Sequence, residues 1–296
     1  MSDTGPACFG KLPFNLLDNL QIACGISEDY WADAVSVPGT NPCLTSIDTI
    51  VLDHKNLPNS IAMAILHSMN DIFAANGIPL SFSVSMSLPP ETDIDVLSGV
   101  NQAIIDCAKI ANCKIGKLHT SRTQGTPMAT VCVSGEPIET TAQAASHGKI
   151  ALIGEHIAST APHRLYSEAA TIGLATRMQI VRTIGGPKKD VSGDGLAGTL
   201  VQLSKRNIVS IRLCERSLLS LSRPQVEDGD LEKNFLDYAG SISGSYSLAL
   251  RTTLFAPHVF GPIVCLVDES AKVDPSVSLT IGSFETGQSS LRFSTP

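Results

Sequence analysis

Four short stretches carry side chains suited to holding a divalent metal and a nucleoside triphosphate. They are Gly5-Pro6-Ala7-Cys8-Phe9-Gly10-Lys11, Thr45-Ser46-Ile47-Asp48, Asn70-Asp71-Ile72-Phe73-Ala74 and Lys189-Asp190-Val191-Ser192-Gly193-Asp194-Gly195-Leu196. Hard cations such as Mg²⁺ take one or two carboxylates together with phosphate oxygens, which makes Asp48, Asp71 and Asp190 candidate ligands. Cys8 and Lys11 stand three apart. A lysine beside a thiol raises its thiolate fraction, and the same ammonium neutralises a phosphoryl group as a point charge. Gly193 and Gly195 lie in a turn that feeds a helix, where free amides and the positive dipole end suit phosphate. Glu28, Asp29 and Asp33 add a further acidic patch near the start.

Each feature also has a plainer reading. Asp48 can be satisfied by a backbone amide or a basic side chain, since buried charges are normally paired. Asp71 can belong to the solvated stripe of an amphipathic helix. The Asp190 stretch can be an ordinary tight turn, and Cys8 an incidental residue on a mobile terminus.

The elements that must position these residues are legible from periodicity. Leu44–Leu52 is rich in β-branched residues and reads as a strand, with Asp48 on the face of Ile50 and Leu52 and Asp53 on the other face, shaping the following turn. Pro58 opens a helix on which Ile61, Ile65, Met69, Ile72 and Phe73 recur, stopped by Asn76-Gly77 and Pro79. Leu80, Phe82, Val84, Met86 and Leu88 then alternate with serines, which predicts a strand with one buried face. A second helix is expected over about Asp93–Ala111 and short strands near Met128–Ser134. Gly135–Gly148 reads as a linker, with a domain boundary near residue 145, giving domains 1–145 and 146–296. Beyond it, helices are expected over about Ser167–Arg182 and Leu196–Lys205, and strands at Lys149–Ile153, Val209–Cys214, Pro262–Val267 and Val277–Ile281. His119 fits a surface loop or a loop beside phosphate, and the tail Gly287–Pro296 reads as mobile.

With 296 residues the chain is long enough for two cored domains. The net charge of −7 and the lack of a basic block argue against nucleic acid, though not against a small anion brought in with metal. The eight cysteines show no C-x-x-C pair, so a zinc cluster or redox pair is not expected. No apolar run is long enough to span a bilayer, and the start lacks a basic and then apolar leader. No membrane association and a cytoplasmic location are the expectations.

In order, the four stretches resemble selenophosphate synthetase (selenide, water dikinase), within the aminoimidazole ribonucleotide synthetase superfamily. Cys8-Phe9-Gly10-Lys11 is similar to the family's Cys-x-x-Lys, Ser46-Ile47-Asp48 to its Thr-Asp strand, and Asn70–Gly77 to its Ser-Asp-Ile-Phe-Ala-Met-Gly-Gly helix end. Lys189–Leu196 is similar to Thr-Asp-Val-Thr-Gly-Phe-Gly-Leu, a motif shared with thiamine-monophosphate kinase. The resemblance implies an α/β (α+β) chain of two domains whose N-terminal domains pair into a homodimeric β-barrel. It implies ATP between the domains, with Mg²⁺ held by Asp48, Asp71, Asp190 and an earlier acidic position at Asp29, for which Asp33 competes. ATP contacts fall to Lys11, Asp48, Asp71, Gly193 and Gly195. Cys8 would handle selenide and Lys11 the transferred phosphoryl group, so Cys8 and Lys11 are the catalytic pair.

The sequence departs from the family at glycine positions. Gly116-Lys117-Leu118-His119-Thr120 stands for a Gly-Gly-His-Ser-Ile loop, Ile153–Ser159 for Thr-Lys-Pro-Leu-Gly-Thr-Gly, and Ala256–Pro262 for Asp-Pro-Gln-Thr-Ser-Gly-Gly. Side chains at glycine positions restrict phosphate approach. Two further readings therefore accompany a selenide-dependent phosphotransferase. One is a degenerate relative that binds nucleotide or a protein partner as a regulator. The other is a superfamily kinase or synthetase with another small acceptor.

Overall fold

The chain's two periodicities, two for strands and 3.6 for helices, resolve it into two sheets with helices between and behind them. The structure is a computed structural model and describes residues 33–38, 42–139, 145–154, 166–221, 228–258 and 261–293. The first part contains β1 (Val35–Val37), β2 (Cys43–Val51), α1 (Leu57–Ala74), β3 (Gly77–Leu88), α2 (Ile94–Ile110), β4 (Lys114–Arg122) and β5 (Met128–Pro137). The second contains β6 (His147–Ile153), α3 (Tyr166–Thr183), β7 (Lys188–Asp190), α4 (Gly195–Asn207), β8 (Val209–Leu213) and α5 (Glu215–Leu219). It continues with α6 (Asp228–Tyr238), a 3₁₀ turn at Ala239–Ser241, α7 (Ala249–Phe255), β9 (Ile263–Asp268), β10 (Ser278–Thr286) and β11 (Ser290–Phe293).

The first sheet has five strands in the order β1-β2-β5-β3-β4, the second six in the order β11-β8-β10-β6-β9-β7. In the first, β2 and β3 both run antiparallel to β5, which lies between them, so the strand–helix–strand unit is split by a later strand. One hydrophobic core runs between the sheets. It joins Ile50, Ile65, Phe73 and Val84 of the first part to Ile153, Val181 and Cys265 of the second. A second core, with Leu200, Ile211, Leu254 and Phe284, backs the six-stranded sheet.

Helix α1 lies at the centre. Pro58 near its start has no amide to satisfy, as suits a first helical turn. The helix rests on β2, β3 and β5, and also meets α2, α3 and β7. A helix enclosed from several sides must be buried all round, and its polar residues Ser60, His67, Ser68, Asn70 and Asp71 are buried with its apolar ones. The expectation of a solvated face for Asp71 is overturned by this packing. Helix α2 is amphipathic as expected: Asp93 caps it by accepting from the Asp95 amide at 2.8 Å, and Val100, Ile104 and Cys107 are buried.

Four further expectations are corrected. Leu80 does not share the buried face of Phe82, Val84, Met86 and Leu88 but is 48% exposed. Opposite β5, Pro79 pairs with Gly135 and Ser81 with Ser134, so β3 carries an extra residue there and the inward face changes parity. Residues 116–120 form no loop: they lie in β4, an exposed edge strand parallel to β3, with His119 opposite Ser85. Residues 290–293 of the tail do not trail in solvent, because β11 pairs in parallel with β8 and its Leu291 is buried. Strand β5 also runs through Pro137, further than the short strand expected at Met128–Ser134. Among the described residues no helix is long and apolar enough to cross a membrane.

Candidate functional site

On β2, alternation turns Ser46, Asp48 and Ile50 toward α1, as expected for Asp48. The Asp48 side chain is 13% exposed, and its Oδ1 lies 3.7 Å from Nε2 of the buried His67. His67 and Asp71 stand four apart on α1 and therefore on one face. Ser46 Oγ donates to Asp71 Oδ2 at 2.8 Å and lies 3.3 Å from Asp48 Oδ2. A hydroxyl has one hydrogen, so Ser46 serves one carboxylate at a time while sitting between both.

Strand β7 supplies the remaining acid. It is an edge strand paired to β9, with Asp190 opposite Ile263, and its contact with α1 brings the second sheet to the first part of the chain. Asp33, Asp71 and Asp190 each offer a carboxylate oxygen within 4.8 Å of the others. Asp190 is fully buried, yet neither of its oxygens accepts a hydrogen bond from the described residues, nor does Asp71 Oδ1. A buried anion without donors is costly, and neighbouring carboxylates add repulsion. The Asp71 carboxyl is held well above the usual carboxylate range, first by burial, then by Asp48, Asp190 and Asp33, with His67 acting the other way.

Such a set fits a hard cation. Every candidate ligand atom is a carboxylate oxygen, Asp71 Oδ1 and both Asp190 oxygens lack hydrogen-bond donors among the described residues, and the concentration of negative charge calls for a counter-charge. Asp33, Asp71 and Asp190, with Asp48 beside them, are the residues that could hold such a cation.

Two cations are already present. Lys189, 5% exposed, donates from Nζ to Asp33 Oδ1, and its Nζ lies 3.8 Å from Asp190 Oδ1. Arg177 of α3 is wholly buried. Its Nε donates to Asn70 Oδ1 at 2.6 Å and its Nη2 to the Gly261 carbonyl at 2.6 Å, which also accepts from Asn70 Nδ2 at 3.2 Å. Burial, partly offset by Asp190, pulls the guanidinium down to about 9. Helix α1, helix α3 and the segment before β9 are thus fastened together beside the carboxylates.

The turn after Asp190 is fixed by the same segment. The Val191 amide donates to the Pro262 carbonyl at 2.8 Å, and the His258 amide donates to the Ser192 carbonyl at 3.1 Å. Gly195 has φ +68, and a Cβ there would lie 2.9 Å from the Ala256 carbonyl oxygen. Its amide donates to the Ser192 carbonyl at 2.9 Å. The glycine is therefore required by packing against the end of α7, and its amide is engaged within the turn. The Gly193 carbonyl accepts from Asn234 Nδ2 at 2.9 Å, which ties α6 to the turn.

Of the residues expected to act, Asp48, Asp71 and Asp190 come together, with Gly193 and Gly195 in the adjoining turn. Cys8, Lys11 and Asp29 lie outside the described residues. Asp33, the competing acidic position, does reach the cluster. Sequence reading passed over Ser46, Asn70, Arg177 and Lys189 as participants. Lys188-Lys189 directly before Asp190 was the available signal, since two lysines on a strand with a buried pattern require partners.

Residues 31–137 match the family described as AIR synthase related protein, N-terminal domain. A search of curated protein sequences finds no match. Among solved structures, the chain is similar to "AaThiL complexed with AMPPCP and TMP" at 15% identity and a TM-score of 0.68, covering 94% of this chain and 92% of that one. It is similar to thiamine monophosphate kinase from Aquifex aeolicus at 15% identity and a TM-score of 0.65, covering 95% and 96%. Hydrogenase maturation protein HypE in complex with ATP is similar at 16% identity and a TM-score of 0.58, covering 95% and 88%. Residues 31–137 thus match an AIR synthase related N-terminal domain, and the fold of the chain is similar to that of thiamine monophosphate kinase and HypE.

Proposed function

We propose that this protein is an ATP-dependent phosphotransferase whose nucleotide-bound Mg²⁺ is held by Asp48, Asp71 and Asp190, with Asp29 as a further ligand. The observation that carries this reading is Asp190, buried among carboxylates with both oxygens lacking a hydrogen-bond donor among the described residues. The similar structures with AMPPCP or ATP bound support the choice of nucleotide. Lys11 and the Gly193–Gly195 turn would contact the polyphosphate. Catalysis of this kind rests on positioning and on neutralising charge that develops on phosphoryl oxygens.

The acceptor we propose is selenide, on the strength of Cys8-x-x-Lys11. Selenide, ATP and water would give selenophosphate, AMP and phosphate, with Cys8 presenting selenium and Lys11 steadying the transferred phosphoryl group. A second reading, a kinase for another small acceptor, is favoured by the TM-score of 0.68 with a thiamine-phosphate kinase-type structure. Domains 1–145 and 146–296 and a homodimer belong to the same proposal.

The test is nucleotide breakdown with and without acceptor. Selenide-dependent AMP formation that disappears in Cys8→Ser supports the first acceptor. ADP formed only with thiamine monophosphate supports the second. Absence of Mg²⁺-dependent ATP binding in the wild type, measured by calorimetry, would remove the phosphotransferase reading altogether.

A further inference from the structure

The acidic cleft contains a cation of its own, and its placement has consequences for how metal binds. Lys189 is almost fully buried, with 6% of its side chain exposed, and pairs with Asp33, whose side chain is 9% exposed. Its Nζ is also 3.8 Å from Asp190 Oδ1. Strand β7 fixes it there, because Lys189 pairs with Val264 of β9 and is immediately followed by Asp190. An ammonium so enclosed is costly unless paired, and it is paired with the carboxylates that a metal would use. A divalent ion and an ammonium cannot both be seated on Asp33 without severe repulsion at contact distance.

We propose that Lys189 is a tethered cation that takes the place of one divalent ion in this cleft, so that Asp33 is committed to lysine and metal is left to Asp48, Asp71 and Asp190. The proposal rests on the phosphotransferase reading, since it concerns the metal of that same site. Lys189 supplies a single positive charge at a fixed position, independent of magnesium concentration. Asp190 lies 3.8 Å from the lysine and within 4.8 Å of the Asp71 oxygen, so it can face both the ammonium and a metal held by Asp71. The neighbouring Lys188 does not share this role, because its Nζ donates to Asn76 Oδ1 at the end of α1.

The test counts Mn²⁺ bound per chain by electron paramagnetic resonance of the free ion, with the full protein and a fixed, saturating concentration of AMPPCP. Lys189→Met is expected to bind one more Mn²⁺ than wild type, and Lys189→Arg the same number as wild type. Asp33→Asn covers the case in which Lys189→Met does not fold. It is expected to leave the count unchanged, whereas Asp71→Asn lowers it. An unchanged count in folded Lys189→Met, or the loss of an ion in Asp33→Asn, overturns the tethered cation and leaves the metal site intact. Wild type that binds neither AMPPCP nor Mn²⁺ overturns both.

Discussion

Asp71 and Asp190 come from different sheets' neighbourhoods, one from the central helix and one from an edge strand, yet they present carboxylate oxygens within 4.8 Å of each other and of Asp33. The contact of α1 with β7 creates this proximity, and the bonds of Arg177 to Asn70 and to the Gly261 carbonyl hold it. Like charges brought together in a buried cleft oppose folding unless something compensates them. The site is therefore expected to be less stable without cation than with it, and its residues should reveal this when changed one at a time.

Acid should relieve the strain at Asp71. Its carboxyl is held well above the ordinary range, chiefly by burial and then by Asp48, Asp190 and Asp33. A raised folded-state value means stability that is complete below the unfolded value of about 4 and is lost as pH climbs through the folded value. Metal-free protein should lose thermal stability from pH 5 to pH 8, and Asp71→Asn should flatten that loss while raising the unfolding temperature at pH 8. Added Mg²⁺ should stabilise wild type more at pH 8 than at pH 5, because protons compete for the same oxygens. Calorimetric unfolding at the two pH values checks both.

Ser46 acts through Asp71 and is a positioning residue. Removing its hydroxyl leaves Asp71 Oδ2 without the bond at 2.8 Å. By analogy with groups that orient metal ligands, Ser46→Ala should weaken Mn²⁺ affinity about 10–100-fold. Ser46→Thr, which keeps the hydroxyl, should recover much of it. Titration with Mn²⁺ followed by water-proton relaxation measures the change.

Arg177 should be the costliest polar residue to remove. Arg177→Met strands the Asn70 carbonyl oxygen and a bond to the Gly261 carbonyl, and withdraws positive charge from the neighbourhood of Asp190. Breaking a buried charged network in this way costs about 3–5 kcal/mol. Lys in its place cannot reproduce the two divergent donors. Urea unfolding at neutral pH should show a lower midpoint for both variants, the larger drop falling on methionine.

The outward face of β2 bears on assembly. Ile47 is 70% exposed between Thr45 and Thr49, an apolar residue on a sheet face left open among the described residues. If the N-terminal domains pair through this sheet, Ile47→Lys should convert a dimer to a 31.2 kDa monomer in sedimentation. A wild type that sediments as a monomer would contradict the pairing.

Much of this was legible because simple periodicity fixes which side chains point inward. Asp48 shares its face with Ile50 as alternation required, and Pro58 and Asp93 mark helix starts where their chemistry places them. Leu80 was misread because a bulge reverses parity, which depends on pairing with β5 and leaves no trace in the strand's own alternation. Edge elements such as β4, β7 and β11 are short or exposed and draw their order from neighbours distant in sequence. For the same reason the burial of Asp71 was hidden. Helical spacing shows one apolar face, but only the arrival of α3 and β7 closes over the other. Lys189 and Arg177 became visible as participants once the two sheets were placed together.

The most direct measurement is anomalous diffraction from crystals of the protein grown with AMPPCP and Mn²⁺. A manganese peak coordinated by Asp71 and Asp190, beside the nucleotide phosphates, is the expected result. Nucleotide bound with its manganese away from both carboxylates, or a cleft that takes neither, would contradict the shared cation site on which the proposed activity depends.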